Sequence, residues 1–189
     1  MSLSTVQDGK VINPRIVQKI FPLIEKGSMP VAHGIIVHQT ESPTAAATFN
    51  SYQQGNNGAH FLIEKDGTIY QTARVDRKTW HVGKLNERCA LELTCKPARW
   101  NPHATHLKES KKSWPQRFPS NDDSIGIELV GEIVKTTKVY VVVTEQQKKS
   151  LKWLVQELQT TLYISATEIF RHPMVSQKNP TEASTAVWQ

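Results

Sequence analysis

Two histidines stand where apolar, β-prone runs end. His38 follows Ile35, Ile36 and Val37, and His172 follows Ile169, Phe170 and Arg171. Imidazoles presented at strand ends, far apart in sequence, are what a metal site assembled by the fold needs. Neutral imidazole is a common zinc ligand, and catalytic zinc typically takes three protein ligands plus water. Between the two histidines, Ser124-Ile125-Gly126-Ile127-Glu128 ends in a carboxylate, and Lys178 follows the second histidine. A metal lowers the pKa of water, a nearby carboxylate takes the proton, and a cation faces the oxygen on which negative charge develops. Together these residue types suit a zinc hydrolase. A lone histidine is more often a surface or core residue than a ligand, so the case rests on the elements around each one.

Those elements are readable from pattern. Gly34 to His38 reads as a buried central strand, and Ile125 to Val130 as another. Ser42 and Pro43 suit the cap and first turn of a helix running through Ala45, Ala46, Ala47 and Phe49 and ending before Gly55. Residues 59–64 and 68–72 form a hairpin around Lys65-Asp66-Gly67, where Gly67 is free to take positive φ. Val139 to Thr144 is a Val-rich strand. Thr144 and Gln147 make a capping box, and Leu151, Leu154, Val155, Leu158 and Leu162 give the following helix one apolar face. Residues 1–30 read as a lead-in with a short helix near Ile16 to Ile24, interrupted by Pro22. Residues 31–189 read as the main domain, with a long, polar, aperiodic loop at 84–123. Strands alternating with helices give an α/β (α+β) single domain, a mixed central sheet flanked by helices.

The 189 residues suit one domain with a proper core. No apolar run approaches the roughly 20 residues of a membrane helix. The start, MSLSTVQDGK, lacks the cationic and apolar regions of a secretory signal. The protein is therefore expected either to stay in the cytoplasm or to leave it by another route. The net charge of +6 favours anionic partners. Lys96, Arg99, Lys108, Lys111, Lys112 and Arg117 face one acid, Glu109, in a basic segment. Anionic cell-wall polymer suits it as well as nucleic acid does, a solvated loop at least as well as either, and the chain carries no nucleic-acid recognition motif and no aromatic-rich basic platform. Cys89 and Cys95 are either a small disulfide loop or two free thiols.

The ordered elements resemble the type 2 N-acetylmuramoyl-L-alanine amidases, the group that includes phage-type amidases and the peptidoglycan recognition proteins. The resemblance is carried by His38-Gln39-Thr40 after a strand, by the hairpin from Ala59 to Gln71, and by Thr79-Trp80-His81-Val82-Gly83. It continues through Ser124 to Glu128, Thr144-Glu145-Gln146-Gln147 and Arg171-His172. It implies Zn2+ held by His38 and His172, Glu128 as the catalytic carboxylate and Lys178 as the oxyanion stabiliser. The tyrosine that some relatives carry just before the hairpin histidine is matched here by Ala59, which leaves the burden on Glu128. The family's usual third ligand, an Asp or Cys, is missing after His172. Glu182 lies ten residues past His172 and can ligate through an oxygen. Asn179 takes the place instead if Pro180 is matched to the family's proline, but a neutral amide is a poor ligand. His81, Trp80 and Asn57 are expected to meet substrate, Trp80 by stacking on sugar or else by packing under the sheet. His60 is expected to be structural.

The resemblance implies hydrolysis of the amide between N-acetylmuramic acid and L-alanine in peptidoglycan. The altered third-ligand stretch keeps a second expectation open, a muropeptide-binding module that does not cut. Without an export signal, three settings follow: an endolysin released by lysis, an effector injected into a rival's periplasm, or an enzyme that recycles wall fragments. The effector reading implies an immunity protein as partner.

Overall fold

The protein is described from a computed structural model that covers residues 4–55, 57–97 and 101–189. Strands β1 (Thr5–Gln7) and β2 (Lys10–Ile12) form an antiparallel hairpin. They are followed by β3 (Ile16–Gln18), a 3-10 turn at Pro22–Ile24 and β4 (Glu25–Ser28). β5 (Gly34–Gln39) leads to α1 (Ala45–Tyr52), then to the hairpin of β6 (Phe61–Ile63) and β7 (Ile69–Gln71). β8 (Arg77–Thr79) pairs with β4. Helices α2 (Arg88–Leu91) and α3 (Pro102–Glu109) precede β9 (Ser124–Leu129). A short pair, β10 (Ile133–Val134) and β11 (Val139–Tyr140), comes before α4 (Glu145–Leu162). β12 (Ile169–Arg171) then runs directly into α5 (His172–Val175).

The main sheet has the order β12-β5-β9-β6-β7-β3 and is mixed: only β6 and β7 run antiparallel. The two-residue period of a strand divides its side chains between two faces. Ile35 and Val37 of β5 and Ile125, Ile127 and Leu129 of β9 share one core with Leu151, Leu154, Val155 and Leu158 of α4. The alternate positions, Ile36, His38, Gly126 and Glu128, belong to the opposite face. There Ile36 and Phe170 pack with Val82, Leu85, Phe118 and Val175. The expected α+β domain with a mixed sheet flanked by helices is therefore what forms.

α4 has the expected capping box: the Thr144 hydroxyl accepts from the Gln147 amide at 3.1 Å, and the Gln147 side chain accepts from the Thr144 amide at 3.1 Å. The turn of the β6–β7 hairpin places Gly67 at φ +89. Several boundaries differ from expectation. The lead-in does not form a helix over Ile16 to Ile24. Ile16 and Val17 join β3, which pairs in parallel with β7 as part of the main sheet, and Pro22 opens only a 3-10 turn. The cap of α1 is Thr44 rather than Ser42, because the Thr44 hydroxyl accepts from the Ala47 amide, while the Ser42 amide is held by the Thr40 hydroxyl. The strand expected over Val139 to Thr144 stops at Tyr140.

The segment 84–123 is structured in its described parts. Cys89 and Cys95 form a disulfide. Asn101 caps α3, accepting from the Ala104 amide at 3.0 Å. Arg99, one of the segment's cations, lies outside the described residues. The segment is fastened to the sheet by a buried ion pair. Arg88 makes a two-pronged contact with Glu168 at 2.9 and 2.7 Å, and the Trp114 indole donates to the same carboxylate at 3.0 Å.

Candidate active site

The sheet register brings the chemistry together. β5 and β9 pair so that His38 lies opposite Glu128. β12 pairs with β5 so that Arg171 lies opposite Val37, which places His172 beside His38. The two rings are 4.2 Å apart between centroids. Glu182 reaches them from the turn after α5, where its amide donates to the Asn179 carbonyl at 3.0 Å. Its Oε1 lies 2.9 Å from His172 Nδ1 and 3.5 Å from His38 Nδ1. All three residues are buried, and their donor atoms lie within 4.8 Å of one another, close enough to hold one metal ion. Two imidazole nitrogens and a carboxylate oxygen are a donor set that suits zinc.

Asn179 does not share this cluster. Its amide donates to the Lys138 carbonyl at 2.7 Å, and its Oδ1 accepts from the Thr181 amide and hydroxyl. It shapes the turn that presents Glu182.

The electrostatics separate the acids. Burial opposes charge on Glu182, but hydrogen bonds from His172 and His38 outweigh it and hold the carboxyl down to about 2. Burial, then the neighbouring His172, pushes His38 down to about 4, so its imidazole is neutral at pH 7. Glu128 behaves oppositely. Burial and the charge of Glu182 push its carboxyl up to about 8, with Lys178 pulling the other way. Its Oε2 is buried without a hydrogen-bond partner. Glu128 also lines a cleft, and a carboxyl with a raised pKa on such a wall is suited to exchanging a proton with something bound there.

These groups line a cleft of about 550 Å³. Lys178, Trp80 and Asn57 border it, all three exposed. The Trp80 ring is presented at the surface and does not pack under the sheet, with Lys26 Nζ 4.9 Å from its centroid. His81 also lines the cleft, but it is engaged by protein: its Nδ1 lies 3.0 Å from His38 Nε2. Burial pushes its imidazole well below the ordinary range. His60 is structural, accepting from the Gly126 amide at 3.0 Å and donating to the Arg77 carbonyl at 2.7 Å.

The cleft contains two tyrosines that the sequence did not single out. Tyr140 donates to Glu41 at 2.8 Å, and burial, then that bond, raises its phenol. Tyr52 of α1 accepts from the Ala59 amide at 3.3 Å, and burial, then the charge of Glu128, raises its phenol. A phenol therefore lies against the Ala59 backbone, delivered from the helix rather than the hairpin. Neither tyrosine lies in a motif, and only the fold brings it in.

Comparison with known proteins agrees with this architecture. The N-acetylmuramoyl-L-alanine amidase family profile matches residues 27–184. No curated protein matches the chain. The endolysin N-acetylmuramoyl-L-alanine amidase LysCS from Clostridium intestinale is similar at 22% identity over 87% of this chain and 85% of its own, with a TM-score of 0.54. The catalytic domain of XlyA is similar at 21% identity over 88% of each chain, with a TM-score of 0.56. An AmpD structure is similar at 20% identity over 96% of this chain and 91% of its own, with a TM-score of 0.55. At such identities these likenesses speak for the fold, while the family match spans most of the chain. The chain belongs to the N-acetylmuramoyl-L-alanine amidase family of hydrolases.

Proposed function

We propose that the protein is a zinc-dependent amidase that cuts the bond between the lactyl group of N-acetylmuramic acid and L-alanine of peptidoglycan. The observation that carries this reading is the meeting of His38, His172 and Glu182 in one cleft with Glu128, which lies opposite His38 in the sheet. A zinc ion held by those three residues would supply Lewis acidity, lowering the pKa of water and polarising the scissile carbonyl. Glu128 takes the proton from the attacking water and passes it to the leaving amine. Lys178, exposed at the cleft's edge, faces the negative charge that develops on the carbonyl oxygen. Trp80 offers a flat surface for a sugar ring, and Asn57 offers amide hydrogen bonds on the same rim. Glu182 completes a three-ligand set, which favours cutting over binding alone.

Action on the cell wall outside the producing cell belongs to the same proposal, by injection into a rival or by release at lysis. An immunity protein would accompany the first of these. The Cys89–Cys95 disulfide supports this, since such bonds persist in oxidising compartments. The test is mass spectrometry of sacculi digested with the protein, with and without chelator, beside His38→Ala. Free stem peptides beginning at L-alanine, lost with chelator and in the variant, are expected. A folded, zinc-loaded protein that releases none would refute the proposal.

A further inference from the structure

The segment His81-Val82 touches both histidines of the candidate metal site from behind, and each contact has a direction. The Val82 carbonyl lies 2.8 Å from His172 Nε2. A carbonyl can only accept, so Nε2 of His172 carries a proton, and Nδ1, which faces Glu182, is the nitrogen the ring has left to give a metal. At His38 the partner is another imidazole, and the direction is set one step further back. His81 Nε2 faces the Ser124 carbonyl at 3.3 Å and the Ser124 hydroxyl oxygen at 3.3 Å. The hydrogen of that hydroxyl is committed to the Ser120 carbonyl. Both oxygens therefore accept, Nε2 of His81 is the donor, and its Nδ1 holds a lone pair. His38 then donates through Nε2, and its Nδ1, again beside Glu182, is the nitrogen left for a metal.

The segment is itself clamped. The Asn121 side-chain oxygen accepts from both the His81 amide at 3.0 Å and the Val82 amide at 2.8 Å. Gly126 makes room for the His81 ring: a Cβ there would lie 2.8 Å from His81 Nδ1. We propose that Asn121, acting through His81 and the Val82 carbonyl, fixes His38 and His172 in the Nε2–H form and so presents both Nδ1 atoms to the metal. His81 and Asn121 are thus positioning residues, although both line the cleft. This rests on the metal site of the proposed function. Partners that orient metal-binding histidines typically contribute 10–100-fold to metal affinity.

The test combines nitrogen-15 NMR of the histidine rings in the zinc-loaded protein with zinc affinity measured by chelator competition. The wild type is expected to show Nε2–H tautomers at both His38 and His172. His81→Leu and Asn121→Leu are expected to bind zinc 10–100-fold more weakly. His81→Asn, whose Oδ1 falls near the Nδ1 position, and Asn121→Asp, which keeps the accepting oxygen, are expected to retain most of the affinity. A ring that merely fills space would give no such split between Leu and Asn. An Nδ1–H tautomer at either ligand, or folded Leu variants that bind zinc like the wild type, would overturn the inference. The tautomer measurement needs no variant to fold. Absence of zinc binding by the wild type would instead overturn the metal site on which the inference rests.

Discussion

Replacing Glu128 with Gln separates catalysis from stability, and the structure sets the size of both effects. In the metal-stripped protein the carboxyl is pushed up from an ordinary 4.5 to about 8 by burial and by Glu182. The folded state therefore binds a proton that the unfolded chain has already released. Between pH 4.5 and 8 the unfolded state holds fewer protons, so stability falls as pH rises through that window. The cost is absent below about pH 4.5, grows up to about pH 8 and is constant above. At about 1.36 kcal/mol per pH unit it reaches about 3 kcal/mol at pH 7. Gln titrates nothing, so the metal-stripped variant should match or trail the wild type at pH 4 and gain on it by about 3 kcal/mol at pH 7. Any fixed cost of the buried amide is the same at every pH and cancels from the comparison. The assay is urea unfolding of both proteins from pH 4 to 8.5, using the midpoint and slope. With zinc restored, the same variant should lose about 10²- to 10⁴-fold in turnover of sacculi. A stability difference that does not change with pH would refute the buried, proton-holding carboxyl, and full activity would refute its catalytic role.

Further outcomes follow from single contacts. Glu168→Ala leaves the Arg88 guanidinium buried without its two-pronged partner and strips the Trp114 indole of its acceptor, so unfolding should be easier by about 3–5 kcal/mol; a loss below about 1 kcal/mol would show that the pair does not fasten the 84–123 segment. Gly126→Ala drives a methyl against the His81 ring and should cost about 1–3 kcal/mol while also weakening zinc binding, although it touches neither histidine ligand directly; unchanged affinity by chelator competition would count against the role of His81. Reduction of Cys89–Cys95 opens only a small loop and should cost about 2 kcal/mol in thermal unfolding, with zinc affinity unchanged; cooperative collapse on adding reductant would contradict this.

What was legible in the sequence followed local rules. The capping box at Thr144 and the leucine stripe behind it depend on neighbours within a few turns, and α4 forms as read. The apolar runs ending at His38 and Glu128 are parallel strands buried on both sides, which is why they show no alternation. The elements that were missed depend on distant partners. β3 is three residues long and exists because β7 supplies its hydrogen bonds. Its Ile-Val pair, ahead of a proline, carries no local sign of that partner. α3 had a readable signal in Asn101-Pro102, a cap followed by a first-turn proline, hidden within a stretch of charge. Tyr52 and Tyr140 reach the cleft only because α1 and β11 fold over it.

Glu182 and His81 mark two different limits. Glu182 could be nominated by elimination as the acid after His172, yet its offset from the histidine could not decide between it and Asn179. That choice turns on the Asn179–Glu182 turn, where the asparagine spends its oxygen on Thr181 and its amide on Lys138. Such a turn faces one side chain outward and the other inward, and the longer Glu spans the distance to both imidazoles. His81 poses the harder problem. Its type and neighbours point to the cleft, and substrate contact is the natural expectation. Its role depends instead on which ring nitrogen faces which oxygen, and that is fixed by Ser124 and Ser120, some forty residues away. A sequence can nominate an imidazole for a site; only the hydrogen bond behind the ring decides whether it binds the metal, the substrate or another imidazole.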